Sequence, residues 1–145
     1  VCSESGRVVE VHLSRQSLVG PMTVDLASLT ALTTLVLDGN MLTGRIPQHI
    51  GFLDRLEHLD ASNNLLTGPV PPSFTRLVGM RRLELHGNAG LCESTDTVGA
   101  LFASGAVIDI SGTRLGEQCP SPPPPASPPP PQPRPPPSPG GPLPP

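Results

Sequence analysis

The chain has 145 residues, and its composition and charge already exclude several kinds of protein. A formal net charge of −3 with no Lys argues against a surface for nucleic acid or for an anionic membrane, because such surfaces need a basic stripe. No apolar run approaches the roughly 18 residues that cross a bilayer. With no Trp, no Tyr and three Phe, any core must be built from Leu, Val, Ile, Ala and Met.

An internal repeat of 24 positions runs through most of the chain. Asn40, Asn64 and Asn88 are spaced by 24, and apolar residues at several further positions share the period. One period before Asn40 stands Gln16, which marks a first unit. A degenerate last unit at 108–113 is displaced by one inserted residue. The repeat therefore predicts five short strands, one in each unit.

Each unit combines a strand pattern with a polar turn. In Leu35-x-Leu37 the apolar side chains alternate, which is typical of a strand with one face turned into a core. The amides of Asn40, Asn64 and Asn88 are expected to pair with backbone groups where the chain turns inward. A single unit buries nothing on its two faces, whereas stacked units share one continuous core. The pattern predicts an α/β-type leucine-rich repeat solenoid with a parallel β-sheet on its concave face.

The exposed strand positions of the repeat stack into columns on that concave face, because neighbouring strands lie about 4.8 Å apart. One column places Asp60 beside Glu84, with His58 and His86 close to them. Such a group could hold a cation or act as an acid/base pair; we favour a hydrated face of mixed charge. No motif indicates catalysis, a metal site or a cofactor. The candidates for contact on this face are Glu10, His12, His58, Asp60, Arg82, Glu84 and His86.

The few Phe residues fall outside the concave columns. Phe74 is expected in the core, because its column also holds Leu26, Ile50 and Val98. Phe52 and Phe102 are expected to be partly exposed on the convex side, where packing within the chain is favoured over contact with another subunit.

From Pro120 onwards the composition changes abruptly to Pro, Ser and a few Gly. Residues 120–145 contain 17 of the 22 prolines. The fixed φ and the missing N–H groups exclude helix and sheet, which leaves polyproline II at about 3.1 Å per residue and a reach of roughly 80 Å. We therefore divide the chain into a repeat domain, 1–119, and a polyproline II tail, 120–145, that serves as a spacer or stalk.

Two segments of the repeat carry a family resemblance. Leu42-Thr43-Gly44-Arg45-Ile46-Pro47 and Leu66-Thr67-Gly68-Pro69-Val70-Pro71 resemble the L-x-G-x-I-P signature of plant-type leucine-rich repeats. These repeats occur in plant receptor ectodomains, polygalacturonase inhibitors and leucine-rich repeat extensins. The resemblance covers about residues 5–116, with departures at Ala61, which occupies a Leu position, and in the irregular last repeat.

The tail resembles a second group of proteins. Its two blocks of one Ser and four Pro are similar to those of extensins and green-algal hydroxyproline-rich wall glycoproteins. The resemblance implies hydroxylated prolines with short arabinose chains and galactose on Ser, and a Pro-rich linker without sugar is the alternative. No Asn lies in a sequon for N-glycosylation, so any sugar is expected to be O-linked. The implied sites are Ser121, Pro122, Pro123, Pro124, Pro125, Ser127, Pro128, Pro129, Pro130 and Pro131.

The cysteines fit the same resemblance. Asn88-Ala89-Gly90-Leu91-Cys92, followed by Cys119, looks like the C-terminal cap of plant-type repeats, which implies a disulfide between Cys92 and Cys119; two unrelated thiols are the alternative. Cys2 resembles the second Cys of an N-terminal cap pair, so its partner is expected upstream or in another chain. Disulfides and hydroxyproline sugars would both imply the secretory route and an extracellular place, in a cell wall or at a cell surface.

These features favour an extracellular structural glycoprotein. Its repeat domain would bind proteins, including copies of itself in a fibril, and its sugar-coated tail would be a stiff rod. We expect no enzyme activity, no nucleic-acid partner and no membrane insertion. A ligand-binding receptor ectodomain or an inhibitor of a wall-degrading enzyme is the first alternative. An intracellular scaffold whose PxxP tail docks on SH3 or WW domains is the second.

Overall fold

The computed structural model describes residues 1–4, 6–93 and 95–120. The Pro-rich segment 121–145 lies outside the described residues. The predicted polyproline II conformation of the tail lies there too, as do the implied sites of hydroxylation and glycosylation from Ser121 to Pro131.

Within the described residues, nine short strands alternate between two parallel sheets. The odd-numbered strands form a five-stranded sheet in chain order, here called the concave sheet, as the repeat predicts. The even-numbered strands form a four-stranded sheet, here called the flank sheet, which the repeat analysis did not predict. In chain order the strands are β1 (Glu10–His12), β2 (Val19–Pro21), β3 (Thr34–Val36), β4 (Met41–Gly44), β5 (His58–Asp60), β6 (Leu65–Gly68), β7 (Arg82–Glu84), β8 (Gly90–Leu91) and β9 (Val107–Asp109).

The concave sheet confirms the predicted register. Leu35 lies opposite Leu59, which lies opposite Leu83, so the 24-residue spacing is kept from β3 to β7. Leu83 then lies opposite Ile108, which is 25 positions further on. The structure therefore contains the inserted residue before β9, and the strand pairing of the concave sheet continues past it.

Short 3₁₀ helices return the chain on the side away from the concave sheet. They span Val24–Ser28, Gln48–Phe52 and Pro72–Arg76. A Cβ on Gly51 would lie 2.5 Å from the backbone oxygen of Ser73, so the second and third helices pack too closely for any larger residue there. In the last unit an α-helix, α1 (Thr95–Ala103), replaces the 3₁₀ helix.

The core is one apolar column shared by all repeats. Leu35, Leu59 and Leu83 are fully buried, and Phe74 lies among them as predicted. Ala61 is buried at a position where the repeat has Leu. This departure from the repeat places a smaller side chain in the core but does not expose the core to solvent. The first unit is less covered than the rest: five of its apolar residues are only half-buried. They are Val8, Val11, Leu18, Leu26 and Leu29.

The buried Asn residues pair with the backbone as predicted. The Oδ1 atom of Asn64 accepts the N–H of Leu42 at 3.0 Å, and its Nδ2 donates to the backbone oxygens of Leu37 and Ala61 at 3.0 and 3.2 Å. Asn88 repeats these contacts one unit later. Gln16 is exposed and takes no such role. The row of Asn40, Asn64 and Asn88, here called the Asn ladder, thus joins the turns that connect the two sheets.

A disulfide joins Cys92 to Cys119, with a Cα–Cα distance of 5.1 Å, as the family resemblance implied. Together with α1, whose Val98 and Leu101 are buried, it covers the C-terminal end of the core. Cys2 is a free, exposed thiol.

Candidate functional site

The concave sheet brings the predicted contact residues into two adjacent columns. The backbone register stacks Glu10, Thr34, His58, Arg82 and Val107 in the first column. The second column holds His12, Val36, Asp60, Glu84 and Asp109. His86 follows β7 beside them, so the predicted candidates all lie on this sheet or at its edge.

Three carboxylates stand in succession in the second column, on β5, β7 and β9, and form what we call the acidic column: Asp60, Glu84 and Asp109. Oδ1 of Asp60 accepts the N–H of Ser62 at 2.9 Å. Glu84 is largely buried and is paired with the guanidinium of Arg82. Asp60 and Asp109 thus carry the charges of this column that no Arg neutralises directly.

The outermost member, Asp109, is a site residue that the sequence analysis missed. The inserted residue before β9 shifts the register by one, so counting 24 residues from Glu84 gives Ile108 instead of Asp109. The backbone N–H of Ser111 donates to Oδ1 of Asp109 at 3.0 Å. That bond lowers the pKa of Asp109 most, followed by the bond from the Ser111 hydroxyl; desolvation opposes them, and the nearby charges of His86 and Arg82 lower the pKa further.

Histidines border the carboxylates on both halves of the sheet. Nε2 of His12 lies 3.6 Å from Glu10. Nδ1 of His86 lies 3.4 Å from Oδ2 of Asp109, an ion-pair distance without hydrogen-bond geometry, and its Nε2 lies 3.3 Å from the Asn63 amide nitrogen. An amide nitrogen can only donate, so neutral His86 carries its proton on Nδ1, facing Asp109.

Two alternatives concern the carboxylates and histidines of the concave sheet, namely a cation site and an acid/base pair. Among residues 1–4, 6–93 and 95–120, no three His, Cys, Asp or Glu side chains are grouped so as to hold a metal ion. Glu84 is paired with the guanidinium of Arg82, and the acid/base pair of Asp60 with Glu84 stays a hypothesis. The concave sheet carries side chains of both charges.

The described helices include none that is both long and apolar enough to cross a membrane. Phe52 and Phe102 are exposed on the side away from the concave sheet, as expected. The Arg76 guanidinium lies 4.9 Å from the centre of the Phe52 ring, so part of this aromatic surface is covered within the chain.

Comparison with known proteins gives matches over the repeats. Residues 30–89 match the family described as leucine rich repeat. The receptor protein kinase WSS1 of Oryza sativa subsp. japonica is 46% identical over 43 residues, which are 30% of this chain and 5% of that protein. The chain therefore spans only a small part of the curated relative that it matches.

Solved structures match over more of the chain. The BIR2 ectodomain of Arabidopsis thaliana is 29% identical with a TM-score of 0.68, over 76% of this chain and 57% of that one. The ectodomain of the Arabidopsis receptor kinase HAESA, solved with an N-terminally extended IDA peptide hormone ligand, is 30% identical with a TM-score of 0.68, over 79% of this chain and 19% of that one. Residues 30–89 therefore carry leucine-rich repeats, and the fold that contains them is similar to that of plant receptor ectodomains.

Proposed function

We propose that the repeat domain is an extracellular recognition module that binds a peptide or a protein segment on its concave sheet. The observation that carries the proposal is the pair of columns on that sheet, which present polar and charged side chains from five consecutive strands. Similarity to receptor ectodomains supports it, since one of them was solved with a peptide hormone. The proposal therefore places the receptor-like alternative ahead of the structural glycoprotein, and it assigns the chain no catalytic activity.

The dimensions of the sheet suit an extended segment. Five strands at about 4.8 Å spacing give a row roughly 19 Å long, which matches about six residues of extended chain at 3.3 Å each. The columns hold no aromatic platform for stacking a sugar ring. Charge and hydrogen bonding are then the main sources of specificity.

The charges of the face favour a ligand with basic side chains. The acidic column offers Asp60 and Asp109 on either side of the paired Glu84, and Arg82 is the cation among the two columns. Exposed charge pairs each contribute only about 0.2 to 1 kcal/mol, so the acidic column should set specificity and association rate more than affinity.

Selection from a random peptide library displayed on phage, with the full chain as bait, tests this proposal. Selected peptides should be enriched in Lys and Arg, and added salt should weaken their binding. The double variant Asp60→Asn, Asp109→Asn keeps the acceptor oxygens that pair with Ser62 and Ser111 but removes two charges. It should weaken binding about tenfold.

A matched control removes two charges elsewhere. Asp25 and Asp54 are exposed on the side away from the concave sheet, so Asp25→Asn with Asp54→Asn changes the net charge equally. Equal loss of binding in both double variants, or selected peptides without an excess of basic residues, would contradict concave-face recognition of a cationic ligand.

A second candidate function is favoured by the two Ser-Pro blocks of the tail, which lie outside the described residues. In this function the repeat domain assembles with proteins, and the tail is a glycosylated rod in a cell wall, surface coat or fibril. Intact mass of the native protein tests it: hydroxylation adds about 16 Da per Pro and each pentose about 132 Da. A tail of unmodified mass with free Cys92 and Cys119 would instead favour an intracellular scaffold.

A further inference from the structure

The flank sheet presents a face without charged side chains. Its outward positions on β2, β4 and β6 alternate with buried ones such as Leu42 and Leu66. We call this face the flank patch, and its residues are Val19, Pro21, Met41, Thr43, Leu65 and Thr67.

Three apolar residues of the flank patch are far more exposed than their type usually is. Val19 is 73% exposed, Met41 45% and Leu65 59%. Val19 lies directly opposite Met41, and Leu65 lies opposite Thr43 on the next strand. Pro21 also lies opposite Thr43, so the apolar side chains form two adjoining rows, Val19 with Met41 and Pro21 with Leu65, rather than scattered single residues. Contiguous exposed apolar surface typically marks an interaction site.

Two arginines without carboxylate partners border the flank patch at opposite ends of its strands. Arg15 lies over Gly39, with its Cγ 2.8 Å from where a Cβ on that glycine would stand, just before β4 begins. Arg45 lies over Gly68 at the end of β6, with its Cγ and Nε 3.2 Å from the equivalent point. Within the described part of the chain, neither guanidinium has a carboxylate within ion-pair distance.

The charge of the flank is thus opposite to that of the concave sheet. A ligand with basic side chains suits the acidic column, whereas the flank offers apolar contacts between two free guanidinium groups. Because guanidinium pairs with carboxylate in a bidentate geometry, acidic groups on a partner would complement both ends of the flank patch. The two faces belong to different sheets, so a ligand on one leaves the other free.

We propose that the flank patch is a second interaction surface, which binds a separate protein partner presenting apolar side chains between carboxylates. This surface is independent of the proposed ligand site on the concave sheet. In the bound state the partner covers Val19, Met41 and Leu65, and its acidic groups pair with Arg15 and Arg45.

The test uses the same displayed peptide library with a bait that cannot use the acidic column, namely the full chain carrying Asp60→Asn and Asp109→Asn. Selected peptides should combine apolar residues with Asp or Glu. Replacing Val19, Met41 and Leu65 by Thr should weaken their binding by at least about tenfold, since most of the apolar contact is lost. Arg15→Gln with Arg45→Gln should weaken it severalfold and remove its dependence on salt.

The substituted positions are exposed, so each variant should fold, and circular dichroism checks this. The control is Val78→Thr with Phe102→Gln, which removes exposed apolar groups on another face and should leave binding unchanged. The proposal is overturned if no selected peptide depends on the flank patch, or if the arginine variant binds as the wild type does. It is also overturned if the chain self-associates at high concentration and the Thr variant does not, because the occupant is then a second copy.

Discussion

Replacing Asn64 by Ala tests how the Asn ladder holds the two sheets together. The Leu42 N–H has Asn64 Oδ1 as its acceptor, whereas the carbonyls that Asn64 bonds keep other donors. Leu37 O also accepts from Asn40, and Ala61 O also accepts from Asn88. The variant therefore leaves one buried donor unpaired, at about 1 to 3 kcal/mol, and loses further bonds of about 0.5 to 1.5 kcal/mol each. Together these terms should lower the free energy of unfolding by at least about 2 kcal/mol.

Urea unfolding followed by far-ultraviolet circular dichroism measures this change, since the chain has no Trp or Tyr for fluorescence. Amide hydrogen exchange adds a local readout: the Leu42 N–H should exchange faster relative to the other core amides. The control is Gln16→Ala, which changes the same repeat position where the side chain is exposed, and it should cost less than about 0.5 kcal/mol. An Asn64→Ala variant as stable as the control would refute this account of the ladder.

Three further outcomes are expected. Leu59→Ala should lower the free energy of unfolding by about 2 to 5 kcal/mol, whereas Leu65→Ala on the exposed face should cost under about 1 kcal/mol in the same urea titration. Reduction of the Cys92–Cys119 disulfide should cost about 3 to 4 kcal/mol by the chain-entropy estimate for its loop, read from urea midpoints with and without reductant. Folding lowers the pKa of the Asp109 carboxyl. The charged carboxylate therefore stabilises the folded chain at pH values above the ordinary pKa of Asp, and this stabilisation is lost as the pH falls through the lowered pKa. The stability difference between wild type and Asp109→Asn should therefore be constant near neutral pH and shrink in acid, and a difference that grows in acid would contradict the sign of this shift.

Much of the concave sheet could be predicted because its side chains follow the backbone period without interruption. Leu35, Leu59 and Leu83 occupy equivalent strand positions, so the repeat alone stacks them and places the exposed columns beside them. Asp109 was not predicted as a member of these columns, because one inserted residue shifts the register of the last strand. The pairing of Glu84 with Arg82 depends on rotamers that no spacing specifies.

The flank sheet could not be predicted from the repeat for a geometric reason. Its partners are offset by 22 positions from β2 to β6, as in Val19 opposite Met41, and by 23 between β6 and β8, rather than by the 24 of the repeat. Columns drawn at 24 therefore place Val19 beside Thr43 and separate it from Met41. The cap helix α1 was missed as well, because it replaces the 3₁₀ helices of the earlier units only in the last one.

The most direct test of the central claim uses three exposed valines as reporters of the three faces. Val107 lies on the concave sheet, Val19 on the flank sheet and Val78 after the third 3₁₀ helix. Methyl NMR of the valine-labelled chain, titrated with a basic peptide selected on it, shows which face the peptide covers. Recognition on the concave sheet predicts that the Val107 signals shift while those of Val19 and Val78 stay in place. Shifts confined to Val19 or Val78 would contradict it.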